Sequence, residues 1–271
     1  DSILESFKQT VTAQDGTVRG APFGMAMGGG VLYNKPIYEE LGLEVPMTWD
    51  QFMSNNQAVA DAGYVPVIQT YGDTWTSQLF VLADYFNVQA AEPDFAERYT
   101  NNEAKYATSE AAMAGFQYLE DVNEAGYLNE DYGAATLADG LRMVATGEGA
   151  HYPMLTFALG TIGQNYPDNL NDVGFFAIPG DSPDVNGATI WMPTGLYVAS
   201  EGPNVELAKQ FVAFAASPEI ACDLQMEVAP VTGPFLVAGC ELPEDVPTGV
   251  ADMQPYFEAD GRTAPALEFL S

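Results

Sequence analysis

Val31-Leu32-Tyr33-Asn34-Lys35-Pro36-Ile37-Tyr38-Glu39-Glu40-Leu41-Gly42, with Thr48-Trp49-Asp50-Gln51-Phe52 shortly after it, is the stretch whose reading decides the fold. Val31 to Tyr33 reads as a strand running into a short helix, Pro36 to Leu41. Gly42 closes that helix, because glycine enters the left-handed backbone region at no steric cost. Thr48 to Gln51 has the S/T-x-x-E/Q pattern in which the hydroxyl caps the helix and the glutamine reaches back. A second helix is therefore expected from Thr48 through Val59, stopping near Gly63, with a strand from Tyr64 to Gln69. Strands alternating with helices at this spacing predict an α/β architecture.

The same alternation continues outward. Ser109 is placed to cap a helix with Met113, Phe116 and Leu119 at helical spacing, ended by Gly126. Ala150 to Met154 reads as a strand. Val205, Ala208, Phe211, Val212 and Ala215 make the clearest amphipathic face, and Ser217-Pro218-Glu219 has the composition of another helix start. Gly28-Gly29-Gly30 and the Pro and Gly punctuation from Pro230 to Pro234 are candidate crossings between lobes. The densest apolar run, Leu79 to Ala83, is strand-sized and far below the roughly 18 residues that span a bilayer. There is no internal repeat and no low-complexity segment.

Composition narrows the function. The 271 residues are 47% hydrophobic and 17% charged, enough apolar material for one or two good cores. Acidic residues number 38 against 8 Lys and Arg, a net charge of −30, which argues against nucleic acid because phosphates are bound by releasing counterions to basic residues. The excess reads as a solvated, mutually repelling surface, or as adaptation to a salty or acidic exterior. The single histidine, His151, leaves little scope for triad chemistry and reads as a hydrogen-bonded, partly buried strand residue. No phosphate-binding loop or dinucleotide fingerprint occurs, so no cofactor is expected. Cys222 and Cys240 have no third thiol and no nearby histidine, so no metal site is expected either. Asp1 to Phe7 carries no basic, apolar or cleavage region of a targeting signal.

Taken together, Gly20-Ala21-Pro22-Phe23-Gly24, Val31 to Lys35, Leu41-Gly42-Leu43, Pro46 and Thr48 to Phe52 resemble the family 1, sugar-type extracellular solute-binding proteins. Gly63-Tyr64-Val65-Pro66, Ala145 to Ala150 and Pro203 to Glu219 extend the resemblance over nearly the whole chain. It implies a two-lobed, type II periplasmic-binding-protein-like α/β fold whose lobes close on ligand about a hinge. By resemblance, residues 1–22 are a remnant of the N-terminal lobe leading into the hinge, and 23–192 are the C-terminal lobe. Residues 193–229 return to the N-terminal lobe, and 230–271 pack back across the hinge. The crossings fall near Pro22 to Gly28, Trp191 to Val198 and Val228 to Pro234. Relatives carry a first lobe before the Gly20-Ala21-Pro22 segment, so the N-terminal lobe is expected to be incomplete in this chain.

The resemblance further implies a monomer, either a lipoprotein anchored at the cell surface or a periplasmic protein, that hands a small carbohydrate to the permease of an ABC importer and catalyses nothing. In a secreted chain Cys222 and Cys240 read as a disulfide, worth about 3 kcal/mol for a loop of that length, with two buried thiols as the other reading. A neutral sugar needs aromatic platforms beside hydroxyl-accepting groups. The candidates are Met25 and Met27 at the first crossing, Tyr71, Asp73 and Trp75 in one loop, Met154 and Phe157 around a strand end, and Trp191 with Met192 at the second crossing. Each also has a structural reading: a capping aspartate, core or hinge-bracing rings, core-filling methionines. All eight Lys and Arg lie outside these segments, which favours an uncharged ligand over an anionic one. A polyamine on the same scaffold, or a secreted glycoside hydrolase using two of the many carboxylates, are the competing functions.

Overall fold

The computed structural model describes residues 3–228 and 230–271; Asp1, Ser2 and Ala229, the last within the third expected crossing, lie outside the described residues. α1 (Glu5–Val11) leads to β1 (Ala21–Phe23), and β2 (Met27–Asn34) passes into α2 (Lys35–Leu41), α3 (Trp49–Asp61) and β3 (Val65–Val67). Then come α4 (Leu79–Ala83), α5 (Tyr85–Ala91), α6 (Phe95–Thr100), α7 (Glu110–Glu124), α8 (Leu137–Thr146), β4 (Gly149–Leu155), α9 (Phe157–Asn165) and β5 (Val173–Phe176). β6 (Ala188–Trp191), β7 (Thr194–Leu196), α10 (Val205–Ala215), α11 (Gln225–Val228), α12 (Thr248–Glu258) and β8 (Thr263–Pro265) complete the order.

The principal sheet has the order β3-β4-β2-β6-β8, with β5 also paired to β2. β4, β5 and β6 are antiparallel to β2, while β3 is parallel to β4 and β8 to β6. β3, β4, β5, β6 and β8 therefore all point one way and β2 alone the other. β5 pairs with Val31 to Asn34 and β6 with Met27 to Gly29, so both use the same side of β2 in succession. The chain between them leaves the sheet and returns. Side chains alternate across the sheet with the period of two that a strand imposes. Leu32, Tyr152, Met154, Phe175 and Met253 fill the core on one face. Val31, Trp49, Phe52, Phe80, Tyr118 and Phe176 fill the other.

The helix boundaries reflect local chemistry. Asn34 accepts from the Ile37 amide at the start of α2, and Gly42 ends that helix at φ 65°. Thr48 accepts from the Gln51 amide as expected, but Gln51 Oε1 reaches past Thr48 to the Met47 amide at 2.8 Å. β3 is shorter than the predicted Tyr64 to Gln69, because the Gln69 amide leaves the ladder to donate to Asn129 Oδ1.

Five expectations need correction. Gly28-Gly29-Gly30 lies inside β2 and is not a crossing. The apolar run Leu79 to Ala83 is helical, short enough to be wedged between α7 and the sheet. On α7 the buried face is Ala112, Gly115, Tyr118 and Val122, while Met113 and Phe116 point outward. Gly115 decides this, since any side chain there would collide with the α4 backbone at Val81. On α10, Val205, Ala208 and Val212 turn inward but Phe211 faces solvent with Leu207 and Phe214. Ser217 donates back to Phe214 O and so does not cap the π-helical turn from Glu219 to Leu224. Cys222 and Cys240 are joined as a disulfide with Cα atoms 5.5 Å apart, tying that turn to the segment after Phe235.

His151 sits fully buried in β4, deeper than the partial burial expected from sequence. Its Nε2 meets the Tyr38 hydroxyl at 2.7 Å, and its Nδ1 meets Asn56 Oδ1 and Pro66 O at 2.8 Å. Nδ1 facing two oxygens carries the proton, which leaves Nε2 to accept from tyrosine. Burial pushes the imidazole pKa down to about 3. The unfolded chain binds this proton near pH 6.5 and the folded chain does not, so stability is lost as pH falls below about 6.5. The loss is at most about 1.4 kcal/mol per pH unit. Asp84, whose carboxyl is pushed up by burial, works in the opposite direction. Urea titrations at pH 7 and 5 should show the His151→Gln variant losing less stability on acidification than the parent; parallel losses would mean the imidazole is not responsible.

Candidate functional site

The shared direction of β3, β4, β6 and β8 gathers their carboxyl ends at one edge of the sheet, where open α/β sheets leave a crevice for ligands. The start of β2 reaches the same edge. Met27 lies opposite Trp191 and Gly29 opposite Leu155. Thr156 clasps the two strand ends: its Oγ1 accepts from the Gly28 amide at 3.0 Å, and its own amide donates to Gly28 O at 3.0 Å. With its hydroxyl so engaged, Thr156 makes no side-chain cap to α9, and Phe157 opens that helix at the edge.

The loop after β3 brings the aromatic groups. Trp75 is 38% exposed and its ring lies 6.2 Å from that of Phe157 at an interplanar angle of 39°. Tyr71 meets Tyr132 edge-on at 5.5 Å, and its amide donates to Tyr132 O. Burial raises the Tyr71 phenol above its usual range, so it remains a neutral donor and acceptor at pH 7. The loop is held from within. Thr76 Oγ1 donates to Thr70 O at 2.8 Å, and the Thr70 hydroxyl meets Tyr152 OH at 2.7 Å in the core. Gly72 passes so close to the Ala134 and Ala135 carbonyls that a side chain there would collide with them.

Asp73 is both loop and cap: Oδ2 accepts from the Leu137 amide at 2.7 Å, at the first turn of α8. That bond fixes the carboxylate and commits one oxygen. Among the described residues, no Lys or Arg hydrogen-bonds or ion-pairs with Tyr71, Asp73, Trp75, Tyr132 or Phe157.

The remaining candidates are placed differently. Met25 forms a bridge with Phe235, and its Sδ lies 3.4 Å from the Thr232 amide; it packs against the segment from Thr232 to Phe235. Met27 is half-buried beside Trp191. Trp191 is 8% exposed, its ring laid flat where Gly29 offers no side chain, against Ala83. It braces the edge from beneath and is not an open platform. Met154 and Met192 are core residues, because strand alternation turns both toward the face filled by α8, α9 and α12. Tyr132 was missed by sequence reading: it lies in a loop joined to Tyr71 only by tertiary contact, and a lone tyrosine between Asp131 and Gly133 carries no periodic signal.

Replacing Thr156 by Val leaves the Gly28 amide buried without its acceptor, which costs about 1–3 kcal/mol. Denaturant unfolding measures this, and a cost below about 0.5 kcal/mol would remove the clasp from the account of this edge.

The model of the bacterial extracellular solute-binding protein family matches residues 2–221. An uncharacterized ABC transporter extracellular-binding protein of Pyrococcus horikoshii is 25% identical over 166 residues, 61% of this chain and 38% of that protein. The multiple sugar-binding protein of Streptococcus mutans is 24% identical over 190 residues, 68% of this chain and 44% of that protein. The chain thus spans less than half the length of these curated relatives. Among solved structures, the solute-binding protein RafE in complex with raffinose superposes with a TM-score of 0.78 at 23% identity, covering 99% of this chain and 68% of that one. The two share the fold.

Proposed function

The chain belongs to the bacterial extracellular solute-binding proteins, and on that premise we propose that it takes up an uncharged oligosaccharide at the carboxyl edge of its sheet. The observation that carries this reading is the Trp75–Phe157 ring pair on a rigid loop beside Tyr71, Tyr132 and Asp73. Rings offer their faces to the C–H surfaces of a sugar, while phenols and a fixed carboxylate exchange hydrogen bonds with its hydroxyls. The absence of a basic residue bonded to this group, among the described residues, fits a neutral ligand better than an anionic one. The named sugars of similar proteins, raffinose and the sugars of a multiple sugar-binding protein, point the same way. The protein then delivers the sugar outside the cell or in the periplasm to the permease of an ABC importer, with or without a lipid anchor, and performs no chemistry on it.

Closure is part of the proposal. β1 pairs with β7, Met25 pairs with Phe235, and the Ala26 amide donates to Pro234 O, so three chain segments run side by side below the edge. We read these as the crossings between a lobe of residues 23–192 and a second lobe to which 1–22 and 193–229 contribute. Within 230–271, Leu236 to Cys240 stays with residues given to the second lobe, through the Leu4 amide donating to Leu236 O and the Cys222–Cys240 disulfide. The remainder returns to the first lobe: α12 lies on β5, Asp252 pairs with Lys35 at 2.9 Å, and β8 joins β6. Ligand that touches both lobes favours the closed arrangement by its differential affinity. Leu207, Phe211 and Phe214, each more than half exposed on α10, are the surface that the rest of the second lobe covers in the longer protein.

In the full-length protein, Trp75→Ala weakens oligosaccharide binding by roughly 1–3 kcal/mol, the scale of an aromatic stacking contact. Calorimetry against a panel that includes raffinose reads this, and unchanged affinity removes Trp75 from the site. Phe211→Ser should change the stability of the 271-residue chain by no more than about 0.5 kcal/mol but cost roughly 3 kcal/mol in the longer protein. Equal costs in urea unfolding would show that nothing covers α10.

A further inference from the structure

On the flank of the sheet away from the strand ends, the excursion between β5 and β6 packs near α5 and α7, and a groove opens along the seam. It has compartments of about 220 Å³ and 750 Å³ that share Ala91, Ala111, Ala114, Tyr118 and Asp181. Its walls are methyl groups and rings, the Tyr118 ring being stacked on Trp49 at 3.9 Å. Its ionisable side chains other than Tyr118 are all acids: Asp84 and Asp181 in the smaller compartment, and Glu92, Glu110, Asp121 and Asp181 in the larger. No Lys or Arg lines either one.

The acids are not equivalent. Glu92 is engaged by Ser109 and Arg98, and Asp121 by Trp49 Nε1 and Gln117. Asp84, on the inner wall, is 1% exposed; its Oδ1 accepts from Asn87 Nδ2 at 2.7 Å. Asp84 Oδ2 and Asn87 Oδ1 are both buried and have no partner among the described residues. The Asn87 amide nitrogen is already shared with Ile178 O at 3.1 Å, and Gly180, which presses on that amide, has no side chain to offer. Both unpaired atoms are acceptors, so the site is short of a donor.

A hard metal ion is poorly served, since it needs six or more oxygens and the described residues bring no three acids, histidines or cysteines together. A nitrogen donor on an aliphatic stem is well served, because carbon walls and a ring face accept the stem while acids take the tip. We propose that this groove binds a primary alkylammonium group, its nitrogen donating to Asp84 and Asn87 below Asp181 and its methylene stem lying along Ala111, Ala114 and Tyr118. The pair adjusts slightly to admit the nitrogen, since Asp84 Oδ2 is otherwise sealed. Burial, with Asp181 nearby, holds the Asp84 carboxyl well above the usual carboxylate range. The titratable groups that face it are Asp181 from the excursion, Tyr118 from α7 and Tyr106 just before α7; among the described residues none is cationic. This site is separate from the sugar edge and stands or falls independently of it.

Calorimetry on the 271-residue chain tests the idea with n-butylammonium, 1,4-diaminobutane, the amide of N-acetyl-lysine, n-butanol and calcium chloride. The amines should bind, and butanol and calcium should not. Preference for the diamine identifies a free ligand, and preference for the lysine amide identifies a protein side chain; both uphold the ammonium site. Asp181→Asn, at an exposed position, should weaken binding about threefold, and Asp84→Asn by more than about tenfold. Asp84→Asn should also raise Tm, since its amide supplies the missing donor. Butanol binding as well as butylammonium, or amines giving no heat with the parent chain, overturns the proposal whether or not the variants fold.

Discussion

Everything in this fold leans on one strand that carries almost no side chains in its first half. Gly28, Gly29 and Gly30 leave the faces of β2 bare, and larger groups occupy the space: Met253 and Phe175 over Gly28, the Trp191 ring over Gly29, and the Phe176 carbonyl with Phe175 at Gly30. Any side chain at Gly29 would collide with Trp191. Because β2 runs against all its partners, these glycines let two parallel strands, β5 and β6, dock end to end on one side of it. The entropic cost of glycine within a strand is small beside the aromatic surface so buried.

That arrangement has two consequences at opposite places. At the strand ends, the flat seating of Trp191 lets Thr156 clasp Gly28 and sets the edge on which Trp75 and Phe157 stand. Along the flank, the break between β5 and β6 throws out the excursion whose Gly180 and Asp181 wall the acidic groove against α5 and α7. The small residues of α7 repeat the theme. Gly115 admits the α4 backbone and thereby turns Met113 and Phe116 outward.

The electrostatics show the same division between surface and interior. With 38 acids and 8 Lys and Arg, most carboxylates have no cation to meet, and those with a structural task work through hydrogen bonds. Asp73 holds the α8 amide end and Asp139 completes the Thr136 capping box. Asp252 does both, a half-buried acid that pairs with Lys35, accepts from the Phe175 amide and so ties α12 to the sheet. His151 contributes by staying neutral, its two nitrogens saturated by Tyr38, Asn56 and Pro66.

Local chemistry was readable along the chain. Asn34, Thr48 and Ser109 cap helices and Gly42 ends one because those bonds and dihedrals close within a few residues, and the strand-helix alternation and family membership rest on such local order. The loop Tyr71 to Trp75 was legible as a candidate for the same reason, being a dense run of polar and aromatic residues. Chain order could not reveal which side of an element faces inward. Met154 and Met192 turned to the core, Trp191 lay down on a glycine, Phe211 turned outward, and Tyr132 came to Tyr71 through a contact no spacing announces. Each of these depends on the shape of a distant neighbour, a glycine's missing side chain or a helix's small face, and that shape exists only once the sheet has closed.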